Sequence, residues 1–149
     1  MSLASVITRA AVSRLETRLP KVVSPRVHAF TDYLHAAFFF GMALYCRKTN
    51  PRAATAALAT GSFLLAESLI TDCPLSAAKV IPFETHGKID AAFAASSFLI
   101  PSAFGFSGNP EAVVFNLYGV AEVVIVGLTD FSSEKSASAA SPLLERMAS

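Results

Sequence analysis

Two His-x-x-x-Asp pairs are the residues of this sequence that are best suited to chemistry. His28 precedes Asp32, and His86 precedes Asp90. Residues four apart share one face of an α-helix, so each pair presents an imidazole and a carboxylate together. Both groups bind metal ions, and both exchange protons. The two pairs therefore predict a polar site, provided that the helices carrying them lie side by side.

The pairs belong to a longer internal repeat with a constant offset of 58 residues. Eleven positions recur at this offset; by their numbers in the first copy they are Lys21, Val22, His28, Asp32, Ala36, Ala37, Phe40, Ala54, Gly61, Thr71 and Asp72. A fixed offset without gaps indicates a duplicated structural unit. The sequence thus divides into a first repeat, residues 21–72, and a second repeat, residues 79–130, each with two apolar stretches.

The composition is typical of a membrane protein. Hydrophobic residues make up 53% of the 149 residues, charged residues only 15%, and the mean hydropathy is +0.51. Four apolar stretches, residues 27–46, 53–71, 89–106 and 112–129, approach the roughly 20 residues that cross a bilayer core. None carries the charged stripe of a helix on the surface of a soluble protein. We therefore predict an all-α fold, a bundle of four transmembrane helices made of two parallel tandem repeats.

The segments outside the repeats differ from the apolar stretches. Residues 1–20 place apolar side chains four apart and arginines elsewhere, which predicts an amphipathic helix on the membrane surface. The same segment also fits an Arg-rich, acid-poor mitochondrial presequence, and both this alternative and cleavage of the segment stay open. Residues 131–149 are rich in Ser and Ala and predict a mobile tail.

The basic residues predict the orientation of the chain. Nine of the twelve lie on the side of the chain ends and the loop between the repeats, and only Arg47, Lys48 and Arg52 lie on the other side. Basic residues favour the cytoplasmic side, so both termini are expected there. Cys46 and Cys73 then lie a membrane thickness apart and are expected to be free thiols. The expected partners are the lipid bilayer and a second copy or another membrane protein, whereas a net charge of +1 does not favour nucleic acid.

Two further acids lie within the apolar stretches. Glu67 precedes Thr71 by one helical turn, and Glu122 is the deepest ionisable residue, with His35 as its expected partner. An ionisable group at mid-membrane depth is unfavourable and indicates a function or a specific partner. The second and third apolar stretches are rich in small residues, which predicts that these two helices form the tightly packed centre of the bundle.

Three functions are compatible with these side chains. The favoured one is a structural or interaction module, in which each Asp pairs with a His or with the Thr-Asp end of a neighbouring helix. The second is a metal or haem site, whose candidate ligands are His28, Asp32, Glu67, His86, Asp90 and Glu122. The third is transport of protons or small ions, with Glu122 and His35 as relay groups. Because the spacing differs from the Glu-x-x-His of di-iron bundles, one ion fits the second interpretation better than two.

Catalytic residues are not assigned. The sequence has no Ser-His-Asp order, no cysteine in a reactive setting and no Gly-rich phosphate loop. An enzyme is therefore not the favoured class.

The repeat resembles the SPW-repeat family of small bacterial integral membrane proteins. The matching stretches are HAFTD (residues 28–32), SLITD (68–72), HGKID (86–90) and IPSAFGF (100–106), and the resemblance covers residues 21–131. Ile-Pro-Ser stands where the family has Ser-Pro-Trp, as in a divergent member. The resemblance implies four transmembrane helices in two repeats and a bacterial inner membrane, whereas a presequence would imply a mitochondrial inner membrane. It implies no activity and no cofactor.

Overall fold

The computed structural model describes residues 19–132, which form five α-helices and no strand. The helices are α1 (Pro25–Cys46), α2 (Pro51–Ile70), α3 (Phe83–Ser97), α4 (Ile100–Ala103) and α5 (Glu111–Leu128). The predicted all-α class is confirmed for this part of the chain. The predicted surface helix (residues 1–20) and tail (131–149) lie outside the described residues, apart from the two residues at the inner end of each.

The first two helices start at sequence signals that satisfy their free N–H groups. The Ser24 hydroxyl accepts a hydrogen bond from Val27 N at the start of α1, and Asn50 Oδ1 accepts one from Ala53 N at the start of α2. Proline follows each of these caps, at a position where a helix needs no N–H donor. The start of α1 at this point places His28 in its first turn.

The third apolar stretch, residues 89–106, is not one helix: Pro101 predicts a kink near its outer end, and the structure has a complete break there. α3 ends at Ser97, and the short α4 begins at Ile100 with Pro101 in its first turn. Proline has no N–H to donate, and in a continuous helix its ring collides with the carbonyl four residues earlier, here that of Ser97. The helix therefore breaks just before Pro101, and α3 has only 15 residues.

The helices pack as two hairpins, α1 with α2 and α3 with α5. A methyl group added at Gly61 would lie 3.0 Å from the carbonyl oxygen of Ala36, and one added at Gly119 would lie 3.0 Å from that of Ala94. These close approaches lie within the hairpins, at positions 58 residues apart. The prediction that the second and third helices form the tight centre is wrong, because these small residues face the partner helix of their own hairpin.

Backbone hydrogen bonds tie the start of each hairpin to the end of the other. Val23 N donates to Leu128 O at 3.0 Å, and Ile81 N donates to Ile70 O at 2.9 Å. Val23 and Ile81 are 58 residues apart, and so are Ile70 and Leu128, so the two bonds occupy equivalent positions in the repeat. Both ends of the described chain therefore lie together, beside the starts of α1 and α3.

Buried polar side chains lie beside an apolar core that includes Phe39, Phe106 and Phe115. Six ionisable His, Asp and Glu side chains are buried between the helices (His28, Asp32, Glu67, His86, Asp90 and Glu122), while Lys88 of α3 and many large apolar side chains face outward. Apolar side chains that are more than half exposed include Phe30, Leu34, Phe38, Leu117 and Val123. Among the described helices, α2 and α5 are long and apolar enough to cross a bilayer, which suggests membrane association. Both cysteines of the chain are buried free thiols, as predicted.

Candidate functional site

Four buried side chains from the starts of α1 and α3 converge in one cluster, the His/Asp centre: His28, Asp32, His86 and Asp90. Each is at most 4% exposed. The two imidazole Nε2 atoms lie 3.3 Å apart. Asp90 Oδ2 lies 3.0 Å from both Nε2 atoms. Asp32 Oδ2 lies 3.2 Å from His86 Nε2 and 3.6 Å from His28 Nε2.

The His/Asp centre joins the two hairpins through their side chains. Asp32 on α1 contacts His86 on α3, and Asp90 on α3 contacts His28 on α1. The expectation that both aspartates have polar partners drawn from these histidines is confirmed. The backbone bonds that hold the start of α1 at the end of α5 and the start of α3 at the end of α2 lie at the same end of the hairpins as the two pairs.

Two threonines at the helix ends fix the orientation of the imidazoles. Each hydroxyl donates to the carbonyl oxygen four residues earlier, at 2.6 Å from Thr129 and at 2.8 Å from Thr71. Each can then only accept from the imidazole Nδ1 beside it, 2.9 Å away for His28 and 3.0 Å away for His86. The tautomer that fits this pattern carries its proton on Nδ1, and both rings turn Nε2 toward the middle of the centre.

This proton arrangement leaves the middle of the centre short of positive charge. A neutral imidazole protonated on Nδ1 has a lone pair on Nε2, and here that lone pair faces carboxylate oxygens. Lone pairs on atoms 3.0 to 3.6 Å apart repel each other unless a proton or a metal ion lies between them. Two kinds of occupant balance the two carboxylates: two protons shared between carboxyl oxygens and Nε2 atoms, or one divalent metal ion.

The N···N and N···O distances within the centre match those between the ligand atoms of a metal site, with Asp32 and Asp90 in separate sets of candidate ligands. Zn²⁺ with bonds of about 2.0–2.1 Å keeps its ligand atoms about 3.3–3.4 Å apart. Here the N···N distance is 3.3 Å and the N···O distances run from 3.0 to 3.6 Å. The Nδ1–H groups held by the threonine hydroxyls are the outer hydrogen bonds that metal-binding histidines almost always make. The residues present thus fit a divalent ion held by His28, His86 and Asp32, whose ligand atoms lie within 4.8 Å of one another, with Asp90 Oδ2 3.0 Å from both of the same nitrogens.

The two glutamates predicted as further ligands lie beside the His/Asp centre. Glu67 Oε1 lies 3.4 Å from His86 Nδ1, the ring nitrogen that faces away from the other imidazole. Glu122 Oε2 lies 3.2 Å from His35 Nδ1, so the predicted neighbour of Glu122 is confirmed. Both glutamates are buried, and each has a carboxylate oxygen that lacks a hydrogen-bond partner within residues 19–132.

Two phenylalanines that were not among the predicted site residues enclose the centre. The rings of Phe83 and Phe131 meet the His28 ring edge to face, with centroids 5.7 and 5.1 Å away. Phe131 approaches this closely because Gly87 has no side chain; a methyl group there would lie 2.6 Å from the Phe131 ring. Neither phenylalanine recurs at the 58-residue offset, so the internal repeat carried no signal for them.

A charged pair in the loop between the hairpins is separate from the site. Lys79 Nζ lies 2.8 Å from Asp72 Oδ1, and this hydrogen bond raises the pKa of Lys79. Both side chains are more than half exposed, so water screens the pair and it contributes little to stability. Asp72 therefore serves below as a comparison for the buried aspartates.

The chain matches no family model, no curated protein and no solved structure. Membership of the SPW-repeat family therefore stays a prediction. The functional proposal depends on the geometry of the His/Asp centre.

Proposed function

We propose that this chain is a membrane protein whose His/Asp centre holds one divalent transition-metal ion. The observation that carries the proposal is the convergence of two Nε2 atoms and two carboxylate oxygens, with the ring protons committed to threonine hydroxyls. Zn²⁺ suits a small tetrahedral set of nitrogen and oxygen ligands, and other first-row divalent ions bind the same donors. His28 and His86 supply the nitrogens, and Asp32 and Asp90 supply the oxygens.

The role of this ion is structural. The imidazoles of both histidines and the carboxylates beside them enclose the ion in a buried site between α1 and α3, as in a structural metal site. One His and one Asp come from α1 and the other two ligands from α3, so the ion joins the two hairpins. The proposed protein is still the structural module that the sequence predicts, now stabilised by a bound metal ion. This role requires no catalytic residue.

The two hairpins cross a membrane in this proposal, as two copies of one repeat. Apolar side chains around the helices and buried ionisable groups between them support it, since lipid cannot solvate polar groups. α3 alone spans about 22 Å at 1.5 Å per residue, so the third crossing consists of α3 together with the short α4 that follows the break. The resemblance to the SPW-repeat family and the basic residues favour a bacterial inner membrane with both termini in the cytoplasm.

A metal-free polar clasp is the second candidate. The 3.0 Å distances from Asp90 to both imidazoles fit charge-assisted hydrogen bonds from two imidazolium rings. Such a clasp would hold two cationic Nε2–H groups 3.3 Å apart, where like charges repel strongly in a buried site. The carboxylates of Asp32 and Asp90 beside the same nitrogens offset this repulsion, so metal analysis separates the two candidates.

Metal analysis of the protein purified in a mild detergent tests the proposal. We expect at least one divalent ion per chain after Zn²⁺ loading and gel filtration. Asp90→Asn should lose this ion, because a neutral amide is a much weaker ligand than a carboxylate. Asp72→Asn removes an exposed carboxylate and should keep it. A parent protein that retains no metal, or equal metal in the two variants, would contradict the proposal.

A further inference from the structure

An apolar groove lies between α1 and α2, near the turn that joins them and at the opposite end of α1 from the His/Asp centre. Its volume is about 470 Å³. The small side chains of Ala43 and Ala54 leave this space, and the larger Phe40, Leu44 and Leu58 border it. Both leucines are more than half exposed, so the groove opens to the outside of the hairpin. A hydrocarbon chain suits such a surface.

Arg47 is the only charged side chain that borders the groove. Its guanidinium makes no hydrogen bond or ion pair with another residue of the range 19–132. A guanidinium binds a phosphate group through two parallel hydrogen bonds. The groove therefore offers an apolar surface to a hydrocarbon chain and a free cation to a phosphate group at its edge.

The charges at this end of the described chain favour an anionic ligand. Three basic residues, Arg47, Lys48 and Arg52, lie there with one acid, Glu111. Glu111 already accepts a hydrogen bond from Asn50 Nδ2 at 3.1 Å, and Arg52 donates to a backbone carbonyl of the second hairpin at 3.1 Å. A ligand with a second cation would be repelled by Arg47 and Lys48, whereas an anion would be attracted.

The order of residues along α1 matches the order of groups in a phospholipid. Tyr45, in the last turn, is 83% exposed, and exposed tyrosines are typical of the level of the lipid headgroups. Arg47 follows two residues later, at the same level. Phe40 and Leu44 lie earlier in the helix, on the side of the acyl chains.

The second repeat does not offer the same site. At the offset of 58 residues, Arg47 corresponds to Gly105 and Leu44 corresponds to Ser102. The helix that would carry these two positions breaks just before Pro101. One site per chain is therefore expected.

We propose that this groove binds one anionic phospholipid, with an acyl chain between α1 and α2 and the phosphate on Arg47. Basic pockets between transmembrane helices bind anionic headgroups in this way. The inference rests on the proposed membrane crossing of the first hairpin. It does not depend on the metal ion, because the groove and the His/Asp centre share no residue.

Native mass spectrometry of the protein in detergent, with equal amounts of dioleoyl phosphatidylglycerol and dioleoyl phosphatidylcholine, tests the proposal. The two lipids have the same acyl chains and differ in headgroup charge. We expect the parent to retain one phosphatidylglycerol per chain in preference to phosphatidylcholine. Arg47→Gln should weaken this binding at least about tenfold, as the loss of hydrogen bonds to a charged group does.

Two further variants locate the lipid. Lys48→Gln removes the same charge from the neighbouring residue, which does not border the groove, and should bind nearly as the parent does. Ala43→Leu fills the groove and should abolish retention. Equal losses in Arg47→Gln and Lys48→Gln would show general charge attraction and overturn the site. If Ala43→Leu does not fold, these two charge variants decide.

The remaining outcomes are equally decisive. No retained lipid, equal retention of the two lipids, or parent-level binding by Ala43→Leu would overturn the site. Zinc content keeps this inference apart from the proposed function, because Arg47→Gln should hold the metal of the parent. A parent that binds phosphatidylglycerol but no metal would contradict the metal centre alone.

Discussion

At the scale of single residues, the hydroxyls of Thr71 and Thr129 decide what the His/Asp centre can hold. Each directs its proton into its own helix and offers an oxygen lone pair to an imidazole Nδ1–H. Without these acceptors, a neutral ring could carry its proton on Nε2 and donate it to a carboxylate. The threonines disfavour that neutral pair, so the centre needs either extra protons or a metal ion.

Replacing Thr129 by Val should weaken metal binding about 10- to 100-fold, as the loss of an outer hydrogen bond of a metal-binding His commonly does. Thr129→Ser keeps the hydroxyl and should bind like the parent. Competition against a chromophoric zinc chelator measures these affinities. Thr55→Val is the matched control, because Thr55 is exposed and makes the same kind of bond within its helix, to Pro51 O at 2.9 Å. Equal affinities of Thr129→Val and Thr55→Val would exclude the orienting role.

The residues of the His/Asp centre were predictable, whereas their chemistry was not. Repetition at a fixed offset identified the two histidines, the two aspartates and the threonines. The direction of each hydroxyl proton depends on the helix end that carries it, which spacing along the chain does not reveal. The place of Glu67 beside Nδ1 of His86, away from the other ring, likewise depends on the rotation of α2 against α3.

At the scale of the helices, Gly119 is where α5 contacts α3 most closely. A methyl group there would overlap the Ser97 hydroxyl and lie 2.9 Å from the Phe98 ring. We expect Gly119→Ala to lower the free energy of unfolding by about 1–3 kcal/mol, as overpacking does. Thermal unfolding in detergent measures the change.

Gly41 in α1 provides the control for that measurement. A methyl group at Gly41 meets no other atom within 4 Å, and alanine is the better helix former by about 1 kcal/mol. Gly41→Ala should therefore leave the unfolding temperature unchanged or raise it. If Gly119→Ala unfolds at the same temperature as Gly41→Ala, the close approach of α5 and α3 at this position is wrong.

Helix lengths were predictable from apolar stretches, but helix pairing was not. The predicted stretches 27–46, 53–71 and 112–129 agree with α1, α2 and α5 to within two residues at each end. The third stretch failed because hydropathy does not register the collision between the Pro101 ring and the Ser97 carbonyl. Small residues indicate that another helix packs closely against the helix that carries them. They do not indicate which of the neighbouring helices this is.

At the scale of the whole molecule, hydrogen bonds join the two hairpins at one end. The bonds from Val23 to Leu128 and from Ile81 to Ile70 lie at the same end as the His/Asp centre, so backbone and side chains join the hairpins there together. The 58-residue repeat predicted two similar units. The repeat did not predict that the start of each hairpin is hydrogen-bonded to the end of the other. Backbone N–H and C=O groups are the same in almost all residues, so the residue types do not reveal which of them pair.

The proposed membrane topology places the turn after α1 and the loop after α2 on opposite sides. In a background without the buried thiols of Cys46 and Cys73, Lys48→Cys and Ala78→Cys put one exposed thiol on each side. A membrane-impermeant maleimide should label Lys48→Cys from outside intact cells and Ala78→Cys only in inverted vesicles. Labelling of both from the same side would contradict four membrane crossings.

The most direct test of the metal-bound His/Asp centre is a crystal structure of the zinc-loaded protein with anomalous data at the zinc edge. We expect a peak about 2.0–2.2 Å from Nε2 of both His28 and His86 and from one oxygen each of Asp32 and Asp90. No peak among these four side chains, with both Nε2 atoms hydrogen-bonded directly to the carboxylates, would show the metal-free clasp and contradict the metal centre.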